Sequence, residues 1–208
     1  MSLMKPKTRA VPPEAGFSIV EFLISTLIIL SVCAAVFTIL ADTQRTASYQ
    51  TEVQTTLENT RLAMDTIERY ISQAGNDPLK VGFAGVTITS ATQVRLRSDL
   101  TGSATGNSDK GDPDGDTSDS GEDVTIQYNS GARSIEIVPG GGSTQPIATY
   151  ISDFSMQYFD ATGAATTDGN AVHKVRVSIT GATTLPNPKT GQIFSQQLSS
   201  DVSLPTRQ

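Results

Sequence analysis

The sequence predicts an α+β fold in which a long N-terminal α-helix packs on an antiparallel β-sheet head, with the first half of the helix transmembrane. Two observations predict it. Residues 17–74 contain no Gly or Pro, the two residues that most disfavour a helix interior. Residues 79–208 contain short alternating or β-branched segments separated by turn-rich stretches, a pattern typical of strands.

Composition favours a β-rich extracytoplasmic protein and argues against several functional classes. Apolar residues make up 37% and charged residues 17% of the 208 residues, which is poor for an enzyme core. The formal net charge is −6 and no basic stripe occurs, which argues against nucleic-acid binding. With one cysteine, Cys33, and one histidine, His173, the chain cannot assemble a disulfide, a zinc site or a Cys/His nucleophile pair. We therefore expect a protein that is not an enzyme.

The first 40 residues contain a basic leader and an apolar segment. Residues 1–16 carry three basic residues and end at Gly16, and positive charge beside a membrane span is retained inside. Residues 17–40 would extend about 36 Å as a helix, enough to cross a bilayer. A secretory signal is cut after its apolar region, whereas Gly16 precedes this one. A cut at Gly16 would remove the leader and keep the apolar segment.

The stretch G-F-S-I-V-E, residues 16–21, resembles the type IV prepilin signal. This resemblance implies cleavage between Gly16 and Phe17 by a membrane-embedded prepilin peptidase, and N-methylation of Phe17. The alternative is an uncleaved signal anchor that carries a chance acid.

Glu21 is the one carboxylate in the apolar segment, and a carboxylate in hydrocarbon is costly. In a bundle of such helices it could pair with the new N-terminal amine of a neighbouring subunit. Pairing offsets the burial cost, and leaving the acid unpaired penalises wrong registers. Glu21 is therefore predicted to set the register of assembly. The alternative is a carboxylate that snorkels to the membrane interface.

Residues 41–75 are predicted to form the amphipathic second half of the helix. Gly75-Asn76-Asp77-Pro78 supplies the stop signals. Four acids are expected elsewhere on the helix surface: Glu52, Glu58, Asp65 and Glu68. The apolar stripe, spaced by fours and threes, consists of Val53, Leu57, Thr60, Met64, Ile67, Ile71 and Ala74.

The head, residues 76–208, is predicted to be a single antiparallel sheet that lies on the helical stripe. A turn at Asn129-Ser130-Gly131 indicates a hairpin between two strands. Strands are expected at residues 86–89, 93–99, 124–128, 134–138, 154–159, 172–180 and 193–204.

Three stretches narrow the resemblance: R-L-A-M-D-T-I-E-R-Y-I-S-Q-A-G at residues 61–75, G-D-P-D-G-D-T-S-D-S-G-E-D at 111–123, and I-S-D-F-S-M-Q-Y-F-D at 151–160. With them the chain resembles PilW-type minor pilins, relatives of the J-type minor pseudopilins of type II secretion. It departs from many secreted pilins because it has no C-terminal cysteine pair.

The resemblance implies a pilin-like fold and a minor pilin, a structural subunit that primes or joins a type IV pilus. Its implied partners are prepilin peptidase, the major pilin, other minor pilins and the inner-membrane assembly platform. The implied location is the bacterial inner membrane, with a single pass through residues 17–40 and the head in the periplasm, and afterwards the pilus at the cell surface.

Two other functions remain open at this point. One is a minor pseudopilin of a type II secretion system, which would share anchor and fold and differ in its neighbouring genes. The other is a calcium-dependent pilus-tip adhesion module, whose head would bind a glycan or a surface only with calcium.

An acidic stretch between Asp109 and Asp123 contains seven carboxylates and one base. Asp112, Asp114 and Asp116 fit positions 1, 3 and 5 of a calcium loop, Ser118 position 7 and Asp123 position 12. Position 6 is Thr instead of Gly, position 12 is Asp instead of Glu, and no helices flank the stretch. The sequence therefore leaves two interpretations, a Ca²⁺ loop and a solvated acidic excursion.

Overall fold

The computed structural model describes Gly16, residues 18–102 and residues 112–204. The chain divides into two compact units, Met1–Arg45 and Thr46–Gln208. Helix α1, Ile19–Gln73, crosses the boundary between them. Because one long helix precedes antiparallel strands, the predicted α+β class is confirmed.

The strands all lie in the second unit, and several of them, such as Gln93–Arg97 and Asp123–Asn129, alternate in burial, as strands with one covered face do. Their bounds are β1 Val86–Ser90, β2 Gln93–Arg97, β3 Asp123–Asn129, β4 Ser134–Pro139, β5 Gln145–Ala148, β6 Ile151–Phe159, β7 Lys174–Pro186 and β8 Ile193–Ser203.

Each of the seven predicted strands is present; six have bounds within three residues of the prediction, and β7 extends six residues beyond its predicted end at residue 180. The hairpin at residues 129–131 is confirmed, since Asn129 of β3 pairs with Ser134 of β4. Strand β5 was not expected. It contains Pro146, which argues against a central strand but is tolerated at a sheet edge, and β5 is an edge strand.

The strands form two antiparallel sheets, so the expectation of a single sheet is wrong. One sheet has the order β1-β2-β3-β4-β5 and the other β6-β7-β8. The chain leaves the first sheet at Tyr150, whose φ of 63° is left-handed and bends the backbone out of the strand path. Ile151 N donates to Arg133 O at 2.9 Å, after which β6 pairs with β7 instead.

Within the second unit, one hydrophobic core joins the helix and both sheets. It includes Ile67 and Ile71 of α1, Ile126 of the first sheet and Phe154 and Val177 of the second. All five are at most 1% exposed. This burial is what stabilises the helical turns from residue 46 onward, since an isolated helix gains little from propensity alone.

The buried face of α1 is displaced by one residue from the predicted stripe at its N-terminal end. Val53 and Leu57 are only half-buried, whereas Glu52 and Thr56 are buried. The reason lies in Gly181 of β7. A Cβ there would lie 2.3 Å from Thr60 Oγ1 and 2.9 Å from Thr56 Cγ2, so the strand approaches the helix closely along a face of small polar residues.

Glu52 was expected on the surface and is instead 8% exposed. Its carboxylate accepts hydrogen bonds from Thr184 N at 2.6 Å, from Leu185 N at 3.0 Å and from the Thr184 hydroxyl. Burial alone would raise the pKa of this carboxyl. The bonds from Thr184 and Leu185 and the positive charge of Arg133 outweigh it, so the pKa is lowered.

We predict that Glu52→Gln destabilises the full-length chain by about 1–3 kcal/mol at pH 7, because an amide cannot accept both backbone N–H groups as an anion does. A lowered folded-state pKa stabilises the fold above the unfolded pKa of about 4.3. That stabilisation is lost as pH falls through the folded value. Denaturant titrations in detergent should therefore show that Glu52→Gln has a lower free energy of unfolding than wild type at pH 7, and that the difference becomes smaller at pH 3.

The matched control is Glu58→Gln, at an exposed position of the same helix, which should change the free energy of unfolding little. An equal loss of unfolding free energy in Glu52→Gln at both pH values would contradict a stabilising role for the ionised Glu52 carboxylate.

We also predict that Gly181→Ala costs about 1–3 kcal/mol, because the added methyl group would overlap Thr60 and force the strand away from the helix. Thr60→Ala should recover part of the loss in a double-mutant cycle. Gly131→Ala is the control, since the nearest atom to its Cβ, Asn129 Oδ1, lies at 3.5 Å. A Gly181→Ala chain as stable as wild type would refute the close approach.

Candidate functional site

The N-terminal part of α1 is apolar on every side. Each large apolar side chain from Ile19 to Leu40 is between 49% and 79% exposed. The helix has the length and apolar composition to cross a membrane. Exposure of this many apolar side chains in water would be strongly unfavourable. An apolar environment such as lipid would therefore stabilise the segment.

The hydroxyl groups of this segment are satisfied within the helix itself. Ser25, Ser31 and Thr38 each donate to the carbonyl oxygen four residues earlier, at 2.8–2.9 Å. Thr26 does the same at 3.0 Å. Because a hydroxyl without a partner is costly in an apolar medium, these bonds make the segment compatible with a hydrocarbon environment.

Glu21 lies in the first turn of α1 and forms a variant of the capping box with Ser18, in which the Ser18 hydroxyl accepts from the second helical residue instead of the third. Ser18 N donates to Glu21 Oε2 at 3.4 Å, and Val20 N donates to Ser18 Oγ at 3.4 Å. The spacing S-x-x-E is the sequence signature of this motif, and it was available in the sequence. An anion at this position also interacts favourably with the positive end of the helix dipole.

The predicted processing site falls mostly beyond what the structure describes. Phe17, the predicted site of N-methylation, and the leader residues 1–15 lie outside the described residues. Gly16 is exposed, and a Cβ built on it would meet no atom within 4 Å. Cleavage and methylation stay predictions.

The five predicted calcium ligands have different surroundings. Asp123 lies in β3 and is held by Arg95 of the neighbouring strand, whose Nε donates at 2.7 Å. Asp116 accepts from Ser118 N and Oγ at 2.7 and 2.8 Å, and Asp116 N donates to Asp114 at 3.1 Å. Asp112 is exposed. In residues 18–102 and 112–204 no three His, Cys, Asp or Glu side chains are grouped to hold a metal ion.

Three other acids of this region are buried or partly buried, and the sequence did not single them out. Asp99 is 0% and Glu122 1% exposed, and Asp119 is half-buried. Strands β2 and β3 pair so that Arg97 lies opposite Asp123. The pairing continues one residue further, where Ser98 N donates to Glu122 O at 2.9 Å, and this brings Asp99 next to Glu122. A correct strand register would have revealed this adjacency.

A separate cavity of about 530 Å³ lies beside β1 and β6. Of the described residues that line it, none is acidic, basic, histidine or cysteine. The Tyr158 hydroxyl lies 3.6 Å from Met156 Sδ, and burial raises the pKa of Tyr158 above its ordinary value. The cavity is lined by Ile88, Thr89, Ser90, Ala91, Met156, Gln157, Tyr158, Phe159, Ala165, Thr166 and Thr167.

No protein-family model matches the chain, and no curated protein matches it. A functional assignment therefore depends on the residues and their geometry. The N-terminal part of α1 is the strongest candidate for a functional element, because it combines an apolar surface with a single carboxylate that caps its first turn.

Proposed function

We propose that this protein is a minor pilin, a structural subunit that primes or joins a type IV pilus and assembles through its N-terminal helix. The observation that carries the proposal is the N-terminal part of α1. Its apolar side chains are exposed all round, and its one carboxylate, Glu21, lies at the very start. A membrane anchor needs only the apolar surface, and an acid beside hydrocarbon is a candidate for a functional role in addition to capping the helix.

The apolar surface allows two successive environments. Lipid covers it while the subunit is anchored, and the helices of other subunits cover it in a filament. Both environments are free of water, so the internally bonded hydroxyls of Ser25, Ser31 and Thr38 suit each of them. The same helix would thus pass from membrane to filament without exposing an unsatisfied polar group.

Glu21 would exchange one partner for another during this transfer. In the single chain its carboxylate accepts from its own Ser18 N at 3.4 Å, a long hydrogen bond that is weak. In a filament the N-terminal amine of a neighbouring subunit would offer a full positive charge, and charge-assisted bonds are shorter and stronger. A neighbour in the wrong register would leave the carboxylate without that amine.

The proposal assigns the following partners and location. Prepilin peptidase would cut after Gly16, and the assembly platform of the inner membrane would bring the helix to the major pilin and the other minor pilins. The head would lie in the periplasm before assembly and at the cell surface afterwards.

We predict that the mature chain begins at N-methyl-Phe17. Intact-mass and N-terminal peptide mass spectrometry of the membrane fraction should show loss of residues 1–16 and a gain of one methyl group. A Gly16→Leu chain is the control and should retain the leader, because the small residue before the apolar run is removed. Retention of residues 1–16 by the wild-type chain in cells with active prepilin peptidase would refute the processing.

We predict that Glu21→Ala inserts into the membrane normally, since removing a charge from an apolar segment favours insertion, but enters filaments at a much reduced level. Ser18→Ala is the matched control. It weakens the same N-terminal cap by about 0.5–2 kcal/mol yet keeps the carboxylate, so it should still assemble.

Quantitative immunoblotting of sheared filaments against total membrane protein measures both variants. Equal loss of assembly in Ser18→Ala and Glu21→Ala would mean that Glu21 acts only as a helix cap. Normal assembly of Glu21→Ala would contradict the proposed register role.

A further inference from the structure

The described parts of the connection between β2 and β3, residues 98–102 and 112–122, contact two buried carboxylates that flank these strands. Asp99, just after β2, accepts hydrogen bonds from Asp114 N at 3.2 Å and Gly115 N at 3.0 Å. Glu122, just before β3, uses Oε1 to accept from Leu100 N and Thr101 N, both at 2.7 Å. These bonds fix the two ends of the loop against the first sheet.

Two carboxylate oxygens in this region are buried and have no hydrogen-bond partner: Oε2 of Glu122 and Oδ2 of Asp119. The two residues belong to one turn, in which Glu122 N donates to Asp119 O at 3.1 Å. Glu122 as a whole is 1% exposed. A buried acceptor without a partner costs the full desolvation of that group, more so when it is charged.

The local charge is strongly negative. The acids Glu122, Asp114, Asp116 and Asp99 all lie close enough to Asp119 to act on it electrostatically. In the described part of the chain, the salt bridges join Arg95 to Asp123 and Lys174 and Arg176 to Asp201, and none involves Asp119 or Glu122. Buried anions in proteins are paired or coordinate a metal.

We propose that Asp119 and Glu122 together bind one divalent cation of the calcium type, through Asp119 Oδ2 and Glu122 Oε2. Two carboxylates leave room for backbone carbonyls and water molecules in the coordination shell. Calcium accepts such mixed and irregular sets of oxygen ligands, whereas magnesium requires a near-octahedral arrangement. Asp99 contacts the loop backbone at Asp114 and Gly115 and acts as a positioning residue.

This site differs from the calcium loop that the sequence suggested. There the ligands were to be Asp112, Asp114, Asp116, Ser118 and Asp123. In the structure Asp123 is paired with Arg95, and the Asp116 carboxylate already accepts hydrogen bonds from Ser118 N and Oγ. The site is also independent of the proposed pilus function, because its ligands all lie in the second unit.

The test uses the full-length protein in detergent micelles at 150 mM KCl, with calcium chloride or magnesium chloride as the titrant in calorimetry. Wild type should bind one calcium ion per chain, at least tenfold tighter than magnesium. Asp119→Asn and Glu122→Gln should each weaken calcium binding at least tenfold. Glu122→Gln keeps an acceptor oxygen for Leu100 N and Thr101 N, and circular dichroism in chelator checks that both variants fold.

Asp112→Asn is the matched control, since it removes the same charge from an exposed position of the same loop, and its affinity should stay within twofold of wild type. Calcium should also raise the melting temperature of wild type by several degrees at a hundredfold excess over Kd, but not that of Asp119→Asn.

Three results would overturn the site. One is the absence of saturable calcium binding by wild type. Another is a loss of affinity in Asp112→Asn equal to that in Asp119→Asn, which would indicate diffuse charge attraction or the loop ligands. The third is equal affinity for calcium and magnesium.

Discussion

The constraint on which the rest of this molecule depends is that the apolar segment from Ile19 to Leu40 has no cover within its own compact unit. Its large apolar side chains are at least 49% exposed, and burying each of them is worth roughly 1.5–3 kcal/mol. Such a surface is favourable only in an apolar environment, and the helix is long and apolar enough to cross a membrane. The hydroxyl groups bonded within the helix and the cap formed by Ser18 and Glu21 provide hydrogen bonds for polar groups that would otherwise have no partner in an apolar environment.

The second unit meets a different constraint, the attachment of a helix to two separate sheets. Apolar residues such as Ile67 and Ile71 supply the apolar area that is buried between the helix and the sheets. Contacts of glycine and polar residues fix the position of the helix along the strands. Gly181 lets β7 approach Thr56 and Thr60, and Glu52 clamps the backbone of Thr184 and Leu185. A shift of the helix by one turn would break the hydrogen bonds of Glu52 and bring other side chains against the strand at Gly181. These contacts therefore define one position of the helix on the sheet.

Elements with strong local signals could be predicted from the sequence: the helix, seven strands and the hairpin after Asn129. The division into two sheets could not, because it depends on a left-handed φ at Tyr150, a residue type that rarely adopts it. The burial of Glu52 was missed since its partners are backbone groups 132 and 133 residues away. Likewise the sequence did not single out Asp119 and Glu122, because the surroundings of these two acids depend on the register of β2 and β3.

The central claim is that α1 assembles with other helices in a fixed register, and Cys33 offers a direct measurement. It is the only cysteine of the chain and lies exposed in the apolar segment. Oxidative cross-linking to a major pilin with single cysteines placed along its own N-terminal helix would map the contact. The account predicts efficient cross-links at positions three and four residues apart, lost when Glu21 is replaced. Uniform cross-linking along the helix, or an unchanged pattern without Glu21, would contradict it.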